Sequence, residues 1–132
     1  MLIKTYKKGS KSILSKTYSS LHFDCKCNSS ACSITLIDSE LPKVLEAIVA
    51  EIKQPLLFLE SFQCFERAKE QRMLGNEFHT KGQAVKFIVN NYSNLAIGLL
   101  VKHLAPVNSI VNITKDYVEL VVNQPKGSLN IL

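Results

Sequence analysis

The sequence predicts an α+β domain, in which two main helices pack on a small antiparallel sheet of about four strands behind an extended basic arm. Three observations lead there. Leu41, Val44, Leu45, Ile48, Val49 and Ile52 recur at helical spacing. Short apolar or β-branched runs of strand length follow at Leu56 to Leu59, Ala84 to Val89, Ser109 to Ile113 and Tyr117 to Val122. The opening stretch is rich in Lys, Ser and Thr with only scattered apolar positions.

Taken in order, residues 1–20 read as the extended arm and residues 21–132 as the domain. The first helix starts near Leu41, with Asp38 or Ser39 able to cap it and Pro42 suited to its first turn. Gln54 and Pro55 end it, and Pro55 opens the strand Leu56-Leu57-Phe58-Leu59. Phe65 to Leu74 is charged and helix-compatible, with Gly75 as its C-cap and Glu66, Arg67, Lys69, Glu70, Gln71 and Arg72 on a solvated face. Ala84 to Val89 lacks clean alternation, which suits a strand buried on both faces. A second helix runs from the N-cap Ser93 to about His103, with Leu95, Leu99, Lys102 and His103 dividing an apolar from a wet side, and Pro106 stops it. The last two runs form a hairpin through Thr114-Lys115-Asp116.

At 132 residues the chain has room for one hydrophobic core, and 46% hydrophobic with 20% charged residues lies in the globular range. The net charge of +5 resides in Lys4, Lys7, Lys8, Lys11 and Lys16, all ahead of the first acid, Asp24. These lysines make the arm a candidate partner-binding element for an acidic protein surface, anionic lipid or nucleic acid. No apolar run approaches the ~18 residues of a membrane span, and no apolar segment of signal-peptide kind follows the basic start. Synthesis in a cytoplasm is therefore expected. Cys25, Cys27, Cys32 and Cys64 are compatible with a structural zinc site, with one or two disulfides, or with plain buried thiols.

One constellation carries more. Pro55-Leu-Leu-Phe-Leu-Glu-Ser-Phe-Gln-Cys-Phe-Glu66 and Asn76-Glu-Phe-His-Thr-Lys-Gly-Gln-Ala-Val-Lys-Phe87 follow one another, with Phe23-Asp-Cys-Lys-Cys27 upstream and Tyr117-Val-Glu-Leu-Val121 downstream. In this register the chain resembles the zinc D-Ala-D-Ala carboxypeptidases and related peptidoglycan endopeptidases, the VanY-type peptidases, over roughly Leu21 to Val122. Those enzymes read Phe-x-Cys-Lys-Cys, then Ser-Gly-Tyr-Arg-(Ser/Cys)-Pro, Ser-x-His-x-x-Gly-x-Ala-x-Asp, and a His in the last strand. The resemblance implies a DD-peptidase-like domain.

It also implies a lost active site. His79 matches the first zinc ligand, but Lys86 stands where the Asp ligand belongs and Glu119 where the last His belongs. Gln63 replaces the substrate-binding Arg, Glu77 the Ser before the ligand His, and Ala68 the helical Asn. An ammonium has no lone pair to give a cation, so catalytic zinc, which needs three protein ligands and an open position, is not expected. The degenerate positions Gln63, Glu77, His79, Lys86 and Glu119 are instead expected to carry a Lys86–Glu119 ion pair in place of the metal. No catalytic residue, cofactor or metal ligand is assigned. The expected function is a non-catalytic structural or binding component of a bacteriophage virion, in its tail, baseplate or capsid, made in the host cytoplasm and bound to other protein subunits. An active zinc peptidase with altered ligands ranks second, and a nucleic-acid-associated protein using the lysine arm ranks third.

Overall fold

The computed structural model describes residues 3–71 and 77–123. These residues form an α+β fold with four helices and two antiparallel sheets, of two and four strands. Strand β1 (Ile3–Lys7) is followed by a 3-10 turn (Ser20–Phe23), strand β2 (Ile34–Asp38) and helix α1 (Glu40–Ile52). Strand β3 (Leu57–Glu60), helices α2 (Phe65–Gln71) and α3 (Glu77–Thr80), strand β4 (Ala84–Ile88), helix α4 (Asn94–Leu104) and strands β5 (Ile110–Ile113) and β6 (Val118–Val121) complete it. The larger sheet has the order β3-β4-β6-β5, and β1 pairs with β2 in the smaller.

Helix α1 buries the stripe that its periodicity announced, Leu41, Val44, Leu45 and Ile48. Its first turn is capped by Asp38 rather than Ser39, because the Asp38 carboxylate accepts the Glu40 N–H at 3.0 Å. Lys53, in the left-handed region at φ 59°, ends it with its N–H on Val49. Ser93 caps α4 as expected, its Oγ accepting the Ala96 N–H at 3.1 Å. The face that α4 buries is Ile97, Gly98 and Val101, whereas Leu95 and Leu99 lie exposed beside Lys102 and His103. The apolar side of this helix was therefore misplaced by sequence. Gly98 is what lets the helix approach β5, since a Cβ there would stand 2.3 Å from Ile113. The hairpin forms as expected, closed by Thr114, whose N–H and Oγ1 both donate to the Tyr117 carbonyl. Helix α2 forms at Phe65, while its expected cap Gly75 lies outside the described residues.

The N-terminal segment differs most from expectation. From residue 3 onward it is part of the domain and not a free arm. Ile3 pairs opposite Asp38 and Lys7 opposite Ile34. Tyr18 is buried and stacks on Phe58, with ring centroids 5.4 Å apart, while Phe23 meets both rings edge-on. Glu46 of α1 accepts hydrogen bonds from Ser15 Oγ, Thr17 N and Thr17 Oγ1, each at 2.7 Å. Of the five lysines, Lys4, Lys7, Lys11 and Lys16 are exposed and Lys8 turns inward toward Cys27. No helix among the described residues is long and apolar enough to cross a membrane.

Val85, Phe87, Val118 and Leu120 point to one face of the large sheet, where they join Phe23, Tyr18, Ile97 and the α1 stripe in a single core. With side chains alternating along each strand, the residues between them point to the opposite face. That second face holds the candidate site.

Candidate functional site

Across this face runs one polar row. Asn112 of β5 pairs with Glu119 of β6, Glu119 with Lys86 of β4, and Lys86 with Glu60 of β3. A register shift between Phe58 and Glu60 sets Glu60 opposite Lys86. From β6 to β3 acid and base thus alternate, and Arg67 of α2 extends the alternation by bonding Glu60 Oε1 through Nε at 2.7 Å and Nη2 at 2.6 Å. Cross-strand pairs of opposite charge favour this register over its neighbours.

His79, on α3, is fully buried above the row. Its Nδ1 faces the Ser61 carbonyl at 2.8 Å and donates to it, since a carbonyl only accepts. Its Nε2 meets Glu119 Oε2 at 2.7 Å, and Glu119 Oε1 accepts from Asn112 Nδ2 at 2.8 Å. Burial disfavours the charged form of Glu119, but the bonds from His79 and Asn112 outweigh it and hold its carboxyl below the usual range. Burial pushes the Lys86 ammonium below the usual lysine range, and Glu119 and Glu60 offset part of that shift. Lys86 Nζ also sits 4.8 Å from the Tyr117 ring centroid.

The structure therefore brings His79, Lys86 and Glu119 together, but not as the expected Lys86–Glu119 pair. The short contact of Glu119 is with His79. Lys86 lies across the ladder from Glu119, within its field but not as its closest partner. Glu60 and Arg67, which sequence reasoning did not place in the site, complete the row. Gln63 is fully buried beside it, its N–H on the His79 carbonyl at 3.2 Å, and among the described residues its side-chain amide has no hydrogen-bond partner. Glu77 begins α3, and its side chain lies outside the described residues.

Gly82 fixes the turn from α3 into β4. Its φ is 73°, and a Cβ there would stand 2.1 Å from the Leu36 carbonyl oxygen. The Gly82 carbonyl accepts the Asp38 N–H at 2.9 Å, which locks this turn to β2.

A catalytic zinc does not fit these residues. With the Lys86 ammonium beside the His79–Glu119 pair, a divalent cation would meet a positive charge and, among the described residues, no group of three ligand-type side chains. Among the described residues the one grouping of three or more ligand-type side chains lies elsewhere.

That grouping is Cys25, Cys27, Cys32 and Cys64, whose Sγ atoms all lie within 4.8 Å of one another. All four are free thiols. Burial opposes the Cys27 thiolate, but the Ser29 backbone N–H and the Cys25, Cys32 and Cys64 thiols outweigh it and bring Cys27 down to about 6. Burial and the Cys27 and Cys64 thiols push Cys32 up to about 12. Cys64 directly follows Gln63, so the thiol cluster and the polar row share one stretch of backbone.

In comparisons with known proteins, no family model, no curated protein and no solved structure matches the chain.

Proposed function

We propose that this chain is a non-catalytic, peptidase-like domain that serves as a structural or binding component of a larger protein assembly. The observation that carries this is the engagement of His79 Nε2 by the Glu119 carboxylate, with the Lys86 ammonium on the adjoining strand. A nitrogen that must coordinate a metal is taken up by a carboxylate, and the position of the Asp ligand is a cation. The alternating row Asn112, Glu119, Lys86, Glu60 and Arg67 then acts as a clamp that fixes strand register, a role for which buried ionic groups are suited.

A binding role is supported by the surface. Leu95 and Leu99 are 60% and 55% exposed on the outer face of α4, and Tyr92 lies just before that helix, 46% exposed. Apolar side chains gathered on one face suit contact with another protein subunit. Placement in a bacteriophage virion rests on the resemblance to peptidoglycan peptidases, which occur there as modules of larger particles.

The test is hydrolysis of a peptide ending in D-Ala-D-Ala by the full chain supplied with zinc. No turnover above a zinc-only control is expected. Turnover that disappears in His79→Ala would overturn the reading in favour of an active peptidase with altered ligands.

A further inference from the structure

We propose that Cys25, Cys27, Cys32 and Cys64 form a closed tetrathiolate site for a zinc ion, a structural staple that ties the loop ahead of β2 to the entrance of α2. The proposal does not depend on what the polar row does, and it replaces the expectation that the chain has no metal ligands.

The first argument is the shape of the cluster. Zn–S bonds of about 2.3 Å in a tetrahedron imply sulfur–sulfur edges of about 3.8 Å. Cys64 Sγ lies 3.6 Å from both Cys25 Sγ and Cys27 Sγ, and every pair of the four is within 4.8 Å. Disulfides gather sulfurs two at a time, at about 2.05 Å. A metal gathers all four about one point, and that is the arrangement present.

The second argument is the surrounding shell. The Cys64 backbone N–H points at Cys25 Sγ from 3.4 Å, the kind of outer contact that steadies a thiolate. Four thiolates around a zinc ion carry a net charge of about −2, after each thiol has released its proton to solvent. Lys8 Nζ, 3.5 Å from Cys27 Sγ and 3.2 Å from the Cys27 carbonyl oxygen, places a positive charge against it. This accounts for the one lysine of the N-terminal segment that turns inward.

The donor set selects the metal. Four soft thiolates in a tetrahedron suit zinc over magnesium, calcium or manganese, and with four protein ligands no position is left for water or substrate. The site is therefore structural. It holds residues 25–32 against Cys64, next to Gln63.

The experiment uses the full chain, produced with zinc and purified under reductant without chelator. About one zinc per chain is expected. The four thiols should resist a thiol reagent until a chelator is added, and His79→Ala should keep the zinc. Lys8→Ala should retain the site with zinc affinity lowered about tenfold, the size of effect typical of an outer-shell partner. Cys32→Ser should lose zinc binding. Stoichiometric iron, a disulfide among these cysteines in freshly reduced protein, or four reactive thiols that zinc does not protect would each overturn the proposal. Thiol protection is read on the unaltered chain, so misfolding of a variant leaves the test intact.

Discussion

His79 and Glu119 lie 40 residues apart in sequence and meet at 2.7 Å. Their contact joins α3 to the third strand of the large sheet in spatial order, and under the proposed function it joins two of the three positions at which a zinc peptidase would hold its metal. Because His79 is buried, its ring cannot turn to water if Glu119 is removed. Glu119→Ala is expected to cost about 3 kcal/mol, as for breaking a buried pair by deleting one partner. Urea denaturation measures this, and Glu119→Gln, which keeps a hydrogen-bond acceptor, should lose clearly less.

The same carboxylate sets an acid limit. Its folded-state pKa lies below the ordinary value of 4.5, so its contribution is complete above that pH and is lost as pH falls through the folded value. Denaturant midpoints measured from neutral pH down to about pH 3 should fall for the parent chain. The fall should be shallower in Glu119→Gln.

Lys86 predicts a slope of the same sign at the alkaline end. Its folded-state pKa is depressed below 10.5 by burial, so the folded protein releases this proton before the unfolded chain does. Stability gains from Lys86 as pH rises from the folded value to 10.5. Subtracting the alkaline stability profile of Lys86→Met from that of the parent should leave this rising component. A flat difference would mean that the ammonium is as well solvated as in the unfolded chain.

Gly82→Ala should be strongly destabilising, by roughly 2–4 kcal/mol, because a positive φ and a backbone clash with Leu36 coincide there. Thermal melting checks it. Ala at Gly9, which also has positive φ but open space around it, should cost less.

Removal of residues 1–20 should unfold the domain rather than merely shorten it, since β1 and Tyr18 go with them. Tyr18→Ala alone should cost about 3–5 kcal/mol. A truncated chain with an unchanged melting temperature would restore the view of this segment as an independent arm.

Much of the fold was legible because α1 carries its burial in its own periodicity, and β4 and the last hairpin in their β-branched and aromatic residues. Strand β1 was not, because only Ile3 and Tyr6 in it are even partly buried, and Lys4, Thr5 and Lys7 make it look like solvated chain. In α4 the small residue Gly98 faces the sheet and larger leucines face outward, so ranking positions by apolarity picked the wrong side. At the candidate site, His79, Lys86 and Glu119 were named in advance, but which two would touch depends on how far each side chain reaches, which register alone does not give. Glu60 and Arg67 read as ordinary charges until a bulge and a helix turn set them in line. The cysteines were left open because Cys64 lies 39 residues from Cys25, and only the completed fold brings it to the other three.

The claim that a carboxylate and an ammonium have displaced a metal can be read most directly at the His79 ring itself. In protein labelled with nitrogen-15 and already saturated with zinc at its thiols, further zinc should leave the His79 ring resonances where they are. Movement of the Nε2 signal into the metal-bound range as that zinc is added would contradict the account.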